Sequence, residues 1–472
     1  MVSAECEPFA KTGGLADVVD ALARALGGLG HDVDVFLPRY RGLDPVAGSE
    51  RMSVELPSGA AGVWTGQADG YRIRLVDHPA SFDRAGYYGE DGADYPDNGA
   101  RFALLGHAAL AALTVDDAPV DVVHGHDWQA GPVLLSMARV PQTGPLATTA
   151  TMLTCHNLAY HGWVPRDRVA GLGLGEAAAA RLGKPDGIDL LREAIRATDV
   201  VNTVSPTYAR ESRTPEYGAG LDDALRARGD RYLGILNGID TGVWDPATDA
   251  ALPAGYSRED VDGKAACRAD LCARHGLDPG GPIFGVVGRL DPMKGFDLVA
   301  AAAPALLEMG ARIIVLGTGD ERLVRDLAAL AADRPDRVVV LERFDRDEAR
   351  RIYAGSDAFV MPSRFEPSGQ GQLIALRYGT VPLVRHTGGL ADTVFDADAD
   401  AGPDPGNGFV FGPAEPAALA AAARRLVARY ADPERWRELM LRCMSEDHSW
   451  AGPARRYEAA YHLAIDSVRR VG

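Results

Sequence analysis

Short runs of Val, Ile and Leu alternate along this chain with longer stretches in which apolar residues recur three or four positions apart. After Thr12, Gly13 and Gly14, the residues Leu15, Val18, Val19, Leu22 and Leu26 mark one face of a helix that Gly27 and Gly28 close. The pattern predicts a strand over 32–37, a buried strand over 121–125 that runs into His126, Asp127 and Trp128, and another over 152–156 that ends on His156. Residues 200–204 repeat it before Ser205 and Pro206 open a helix, and 232–236 lead into Asn237 and Gly238. The periodicity then restarts, with apolar runs beginning at 282, 311, 338, 357 and 381 and a helix over about 296–309. Short β-branched strands separated by longer helices are the mark of βαβ units, whose parallel sheets are covered on both faces. The predicted fold class is therefore α/β, with two Rossmann-like doubly wound domains. The Gly- and Pro-containing stretch 237–262 reads as the link between them, and the acidic, turn-rich stretch 396–408 as an exposed loop without chemistry.

Length agrees with that division, because 472 residues exceed one core and suit two domains of about 200 residues each. A net charge of −17 argues against nucleic acid or an anionic membrane as partner, since phosphate surfaces reward clustered Lys and Arg. No apolar run approaches the roughly 18 residues that span a bilayer, and the first residues lack a basic segment followed by an apolar core, so a cytoplasmic location is expected. Cys6, Cys155, Cys267, Cys272 and Cys443 have neither disulfide-framework nor metal spacing, which fits a reducing compartment and no bound metal.

The chemistry gathers where strands end, the place at which open α/β sheets bind ligands. The hexapeptide Thr-Gly-Gly-Leu-Ala-Asp occurs at 12–17 and again at 387–392, each time between an extended stretch and a helix. A glycine pair at a helix mouth is expected to leave backbone N–H groups bare for a phosphate or another electron-rich oxygen. Two unrelated glycine turns are the plain alternative in a chain with 54 glycines. Lysine is scarce, confined to Lys11, Lys184, Lys264 and Lys294, so its placement beside the first Thr-Gly-Gly and in the loop Gly288 to Gly295 draws notice. In that loop Arg289 offers a planar fork and Lys294 a mobile point charge. Together they can clamp a diphosphate and neutralise the charge that develops as it leaves, without a metal. Glu366, in Ser-Arg-Phe-Glu-Pro-Ser-Gly at 363–369, can hydrogen-bond sugar hydroxyls and stabilise an oxocarbenium-like centre, or can simply complement a helix dipole. Asp127 with His156 and Asn157 can order sugar hydroxyls, and Trp128 offers a flat face to a pyranose ring. Either histidine can instead be a structural hydrogen-bonder.

At this point the chain resembles bacterial glycogen synthases and the related starch synthases, retaining glucosyltransferases of the two-Rossmann (GT-B) fold. The resemblance runs from Lys-Thr-Gly-Gly-Leu-Ala-Asp-Val at Lys11 through His-Gly-His-Asp-Trp at His124, Thr-Cys-His-Asn at Thr154, Leu-Asn-Gly-Ile-Asp at Leu236, Gly-Arg-Leu-Asp-Pro-Met-Lys-Gly at Gly288 and the two motifs at 363–369 and 387–392 to His-Ser-Trp at His448. It implies two domains facing a central cleft: an acceptor-side domain of residues 1–240 with a returning helix over 450–472, and a donor domain of residues 241–449. It implies ADP-glucose as donor, glycogen or another α-1,4-glucan as acceptor, no cofactor, and transfer to the nonreducing end with retention. Arg289, Lys294, Glu366, His156 and Asp127 would then be catalytic. Lys11, Gly13, Gly14, Thr387, Gly388, Gly389, Ser368 and Gly369 would bind the donor, and Trp128, Asn157 and Asn237 would line the sugar site. Family members usually carry several more residues before the equivalent of 2–5, which implies an upstream start or a clipped first strand. Gln129, Ser368 and Gly371 stand where histidine, cysteine and threonine are common, changes at the rim that spare every charged residue.

Three rivals remain at this level. A phosphorylase of the same fold needs a lysine for pyridoxal phosphate, and beside Lys294 the second half offers only Lys264. A non-catalytic nucleotide-sugar sensor would not need Glu366, Arg289 and Lys294 together. A dinucleotide dehydrogenase would need a third glycine after Gly317 and Gly319, which the sequence lacks.

Overall fold

The computed structural model describes the whole chain except residues 57, 141, 176–178, 180, 399–405 and 470–472. Residues 399–405 of the predicted acidic loop thus lie outside the described residues. The chain divides into two compact units, Met1–Asn237 with Trp450–Gly472, and Gly238–Ser449.

In the first unit, strands β1 (Asp34–Pro38), β2 (Glu50–Leu56), β3 (Gly59–Gln67) and β4 (Arg72–Asp77) lie in the order β1-β4-β3-β2. Strands β5 (Val122–His126), β6 (Ala150–Cys155), β7 (Val200–Thr203) and β8 (Tyr232–Gly234) lie in the order β8-β7-β6-β5, all parallel. Val2 joins the two groups, bridging in parallel to both Phe36 and Gly125. Its N–H donates to the His124 carbonyl at 2.8 Å and its carbonyl accepts from His126 at 3.1 Å. The opening residues therefore supply a central strand position, and Val2, Ala4 and Cys6 are buried there.

Helix α1 (Gly14–Gly28) buries the predicted face, Val18, Val19, Leu22 and Leu26. Val18, Leu22 and Leu26 share one core cluster with Met152 and Val200 and with Tyr457, Ala460 and Ala464 of the closing helix Ala451–Arg469. The antiparallel pair β2 and β3 has no counterpart in the sequence reading. Its Gly59, Ala60, Ala61 and Gly62 blunt the period-two alternation by which a strand is recognised.

The second unit is a six-stranded parallel sheet: β9 (Ile283–Val287), β10 (Arg312–Leu316), β11 (Val338–Leu341), β12 (Ala358–Met361), β13 (Val381–Arg385) and β14 (Phe409–Phe411), in the order β11-β10-β9-β12-β13-β14. The two faces are both covered: Phe284, Ile313, Val315 and Val360 pack in one core cluster, and Ile283, Ile314, Leu316 and Phe359 in the other. The strand order reverses between β9 and β12, which opens the crevice where such sheets take ligands.

The stretch read as a link is a packed part of this unit. Ile239, Tyr256 and Val261 are buried in its second cluster. The Tyr256 hydroxyl donates to the Tyr378 carbonyl at 2.9 Å, and the Tyr378 hydroxyl donates to Asp249 at 2.5 Å. Its Gly and Pro residues make turns, but the aromatic and aliphatic residues between them pay for the ordering by burial. All five cysteines are buried and free. No described helix is long and apolar enough to cross a membrane.

Candidate active site

In the second unit three loops leave the carboxyl ends of the adjacent strands β9, β12 and β13. The first turns through the single helical turn Pro292–Lys294, where Asp291 accepts from the Met293 N–H at 2.7 Å, and enters helix α2 (Phe296–Glu308). The second precedes helix α3 (Gly371–Arg377), and the third opens helix α4 (Gly388–Thr393). Arg364 ties the first two together. Its N–H donates to the Met293 carbonyl at 2.8 Å, and its guanidinium grips Asp297 with two bonds of 2.7 Å. Arg385, at the end of β13, donates to the Arg364 carbonyl at 2.9 Å.

This framework fixes Glu366, whose side chain is almost wholly buried. The Lys294 ammonium donates to both carboxylate oxygens, at 2.8 and 2.7 Å, and the Ser363 hydroxyl donates to one of them at 2.9 Å. An ammonium carries three protons, so one remains for a further acceptor. The second Thr-Gly-Gly presses on the same loop: the Gly389 N–H donates to the Glu366 carbonyl at 3.0 Å. Gly388 has φ +46°, and a Cβ there would collide with the Glu366 carbonyl oxygen; one on Gly389 would collide with that of Ser368. Glycine is required at both positions by close approach, and at Gly388 by backbone conformation as well. The fold thus brings together Lys294, Glu366, Ser368, Gly369, Thr387, Gly388 and Gly389. Arg289 stands apart from that lattice, its side chain 67% exposed and 3.6 Å from Asp291. The other lysine of this unit, Lys264, is sealed in the core, where its ammonium donates to the carbonyls of Ala354 and Tyr378 and to the Thr380 hydroxyl. Burial lowers it to about 8. It serves the packing of the unit and lines no loop of the site.

The first unit holds a separate cluster around Glu5, a buried carboxylate. It accepts from the Thr12 N–H at 2.5 Å, the Thr12 hydroxyl at 2.6 Å, the Gly13 N–H at 3.1 Å and the Tyr88 hydroxyl at 2.6 Å. The expectation of bare N–H groups at the first helix mouth is corrected here. A helix N-terminus attracts an anion, and the chain supplies one of its own. At the second mouth the Glu366 carbonyl does the same for Gly389. Gly13 and Gly14 remain exposed, and a Cβ on either would meet no atom within 4 Å. Lys11 pairs with Asp17 at 2.5 Å and with Glu7 at 3.4 Å.

Beyond β5, Asp127 adopts φ +57° and accepts from the N–H groups of His156 at 2.6 Å and Asn157 at 3.4 Å, so it shapes the loop that carries them. Burial pushes its carboxyl up to about 7 against those two donors, and the charge of Glu5 pushes the same way. His156 Nε2 lies 3.0 Å from His126 Nδ1, and burial takes His156 down to about 3. The Asn157 amide oxygen accepts from the Ala159 N–H at 3.0 Å. Asn237 is buried, and its amide oxygen has no hydrogen-bond partner among the described residues.

Trp128 requires a second correction. Its ring is buried, edge-on to Phe102 at 5.3 Å and covered by Gly162, so it packs beneath the His156 loop and offers no open face to a sugar. The exposed aromatics of this region are Tyr160 and Trp163. Sequence reasoning passed over two residues of the clusters. Glu5 had a legible signal, an acid inside a run of residues that the strand pattern would bury. Ser363 had none beyond its spacing of three from Glu366.

Comparison with known proteins matches residues 1–227 to the starch synthase catalytic domain and residues 268–439 to glycosyl transferases group 1. A glycogen synthase of Myxococcus xanthus is 44% identical over 98% of this chain and 98% of its own length. One of Syntrophotalea carbinolica is 42% identical over 99% of this chain and 98% of its own. The catalytic domain of starch synthase IV from Arabidopsis thaliana, solved with ADP and acarbose bound, aligns with a TM-score of 0.88 at 34% identity over 98% of each chain. A sucrose-phosphate synthase from Thermosynechococcus elongatus, at 18% identity and a TM-score of 0.61, shares the fold.

Proposed function

Because the chain belongs to the glycogen synthase and starch synthase family of glycosyltransferases, we propose that it transfers glucose from ADP-glucose to the nonreducing end of an α-1,4-glucan with retention, elongating glycogen in the cytoplasm. The observation that carries the reading is the buried Glu366 carboxylate, held by Lys294 and Ser363 at the crevice of a parallel sheet with the second Thr-Gly-Gly clamped against its loop.

In this reading the remaining N–H of Lys294 and the exposed fork of Arg289 take the donor diphosphate, and their charge makes a metal unnecessary. Ser368, Gly369 and the turn 387–389 border the donor, while Glu366 stabilises positive charge as it grows on the anomeric carbon. Lys11, Gly13 and Gly14 add contacts to the donor from the first unit. His156, in the loop that Asp127 shapes, lines the sugar site with Asn157 and Asn237. The bond from the anomeric carbon to the departing phosphate breaks on the face at which the acceptor hydroxyl attacks. Attack on that same face gives retention without a covalent glucosyl-enzyme, and the phosphate of the leaving ADP takes the acceptor proton. The Arabidopsis relative's bound ADP and acarbose support a nucleotide donor and a glucan-like acceptor.

The test is transfer of radiolabelled glucose to glycogen from ADP-glucose and UDP-glucose in parallel. The reading expects glycogen-dependent release of ADP with label incorporated, and faster transfer from ADP-glucose than from UDP-glucose. Binding of ADP-glucose without transfer would favour a sensor instead.

A further inference from the structure

The ends of β5 and β6 bring three imidazoles into a column. The rings of His124 and His126 lie 4.2 Å apart, and those of His126 and His156 lie 5.3 Å apart with their planes 26° from parallel. His124 and His126 are buried, and burial holds both well below their ordinary titration range, so each carries a single ring proton.

The hydrogen bonds say which nitrogen holds it. The Thr154 hydroxyl donates its one proton to the Asn202 amide oxygen at 2.6 Å, an atom that can only accept. Thr154 Oγ1 must therefore accept from His124 Nε2, 2.7 Å away, which leaves His124 Nδ1 to accept from the Tyr461 hydroxyl at 2.9 Å. His124 is thus committed to Thr154 and Tyr461 and only stacks on His126.

His126 has one bond to make, between its Nδ1 and His156 Nε2 at 3.0 Å. Its own Nε2 is buried with no protein partner among the described residues. If His156 were the donor, the proton of His126 would sit on that buried Nε2 as an orphan N–H. If His126 is the donor, the orphan is a lone pair. Buried N–H groups without partners are the rarer of the two.

We infer that His126 is a positioning residue for the proposed transfer: it donates from Nδ1 to His156 Nε2 and so fixes the proton of His156 on Nδ1. His156 Nδ1 has no protein hydrogen bond among the described residues, and His156 is only partly buried. It presents an N–H donor to the sugar site, not a basic nitrogen. Such a group can hold a sugar oxygen and cannot take a proton from one, which agrees with a reaction in which the leaving phosphate is the base. The assignment of the proton stands on the fold alone; its catalytic meaning rests on the function proposed above.

The test is nitrogen NMR on the full chain carrying 15N-labelled histidine, with His156 identified by the loss of its signals in His156→Gln. The expected result is a protonated Nδ1 and a bare Nε2. In His126→Leu the donor is gone and His156 shifts toward the Nε2–H form that free neutral histidine prefers. His126→Asn sets an amide N–H where Nδ1 was and restores the wild-type pattern. Turnover follows the same order: kcat falls roughly tenfold in the Leu variant, the size of one hydrogen bond lost from the transition state, with KM for donor nearly unchanged, and recovers in the Asn variant. A wild-type His156 protonated on Nε2 overturns the inference, even if the Leu variant fails to fold. The inferred proton pattern in a protein that transfers no glucose would instead overturn the proposed function.

Discussion

The same six residues open a helix twice in this molecule, and the two copies do different physical work. At 12–17 the turn lies at the surface of the first unit, its glycines face open space, and a buried carboxylate, Glu5, binds its N–H groups from behind. The helix that follows runs for 15 residues and owes its place to a broad apolar face. At 387–392 the turn is buried, its glycines lie under the carbonyls of Glu366 and Ser368, and the helix lasts six residues. A glycine pair at a helix mouth is therefore no single device. Where the rest of the fold leaves it open, it is a surface that a bulky ligand can approach. Where a loop is pressed onto it, it is a clamp that holds the loop of a buried carboxylate, Glu366.

Alanine separates these roles. Gly389→Ala, or Gly388→Ala, should produce the largest effect, since the added Cβ drives the Glu366 loop away. We expect a loss of about 2–4 kcal/mol in unfolding free energy, from backbone strain and displaced packing, and transfer activity reduced beyond detection. Wild-type melting in both variants would remove the clamp. Glu366→Ala and Lys294→Ala come next. Each should lower turnover at least about a hundredfold while circular dichroism shows the fold intact. Wild-type turnover in either one would clear that residue of a role. Gly13→Ala should do the reverse of Gly389→Ala. Its stability change stays within about 0.5 kcal/mol, as for a surface site, and the effect appears as a raised KM for the donor. A strongly destabilised Gly13→Ala would erase the contrast between the turns.

A separate effect concerns pH and belongs to the first unit. Below their ordinary value of 6.5, His124 and His126 take up protons in the unfolded chain and not in the folded one. Stability therefore falls as pH drops through 6.5, by up to about 1.4 kcal/mol per pH unit for each ring. Asp127, raised from 3.8 to about 7, acts in the opposite sense, because the folded form keeps a proton that the unfolded chain releases. His156, which burial takes from 6.5 to about 3, adds a third ring, so in this cluster three protons stand against one, a net of two, or about 2.8 kcal/mol per unit between roughly pH 4 and 6.5. Denaturant titrations at pH 7 and 5.5 should show the loss. A gain on acidification would contradict the buried neutral rings.

Most strands were legible because a doubly wound sheet buries them on both faces and so writes them as unbroken apolar runs. The runs predicted at 200–204 and from 338 became Val200–Thr203 and Val338–Leu341. The hairpin of β2 and β3 was hidden by small residues that carry little apolar signal. The site was legible to the extent that its residues are charged and sit at strand ends: Lys294 and Glu366 came together, as two separated loops must if their strands are neighbours. What the sequence did not disclose were relations set by tertiary packing. Trp128 looks like a platform until Phe102 and Gly162 cover it, and the mouth at Gly13 looks bare until the fold delivers Glu5 from the opening residues. The stretch 237–262 reads as a link because its turns are visible and the partners of Tyr256 are not.

The proposed transfer depends on two cations of the second unit holding a departing diphosphate beside Glu366. A crystal structure of the full chain with ADP tests it directly. The diphosphate oxygens should lie within about 3 Å of the Lys294 ammonium and the Arg289 guanidinium, with the second Thr-Gly-Gly still seated on the Glu366 loop. A diphosphate bound elsewhere, with Lys294 and Arg289 untouched, would contradict it.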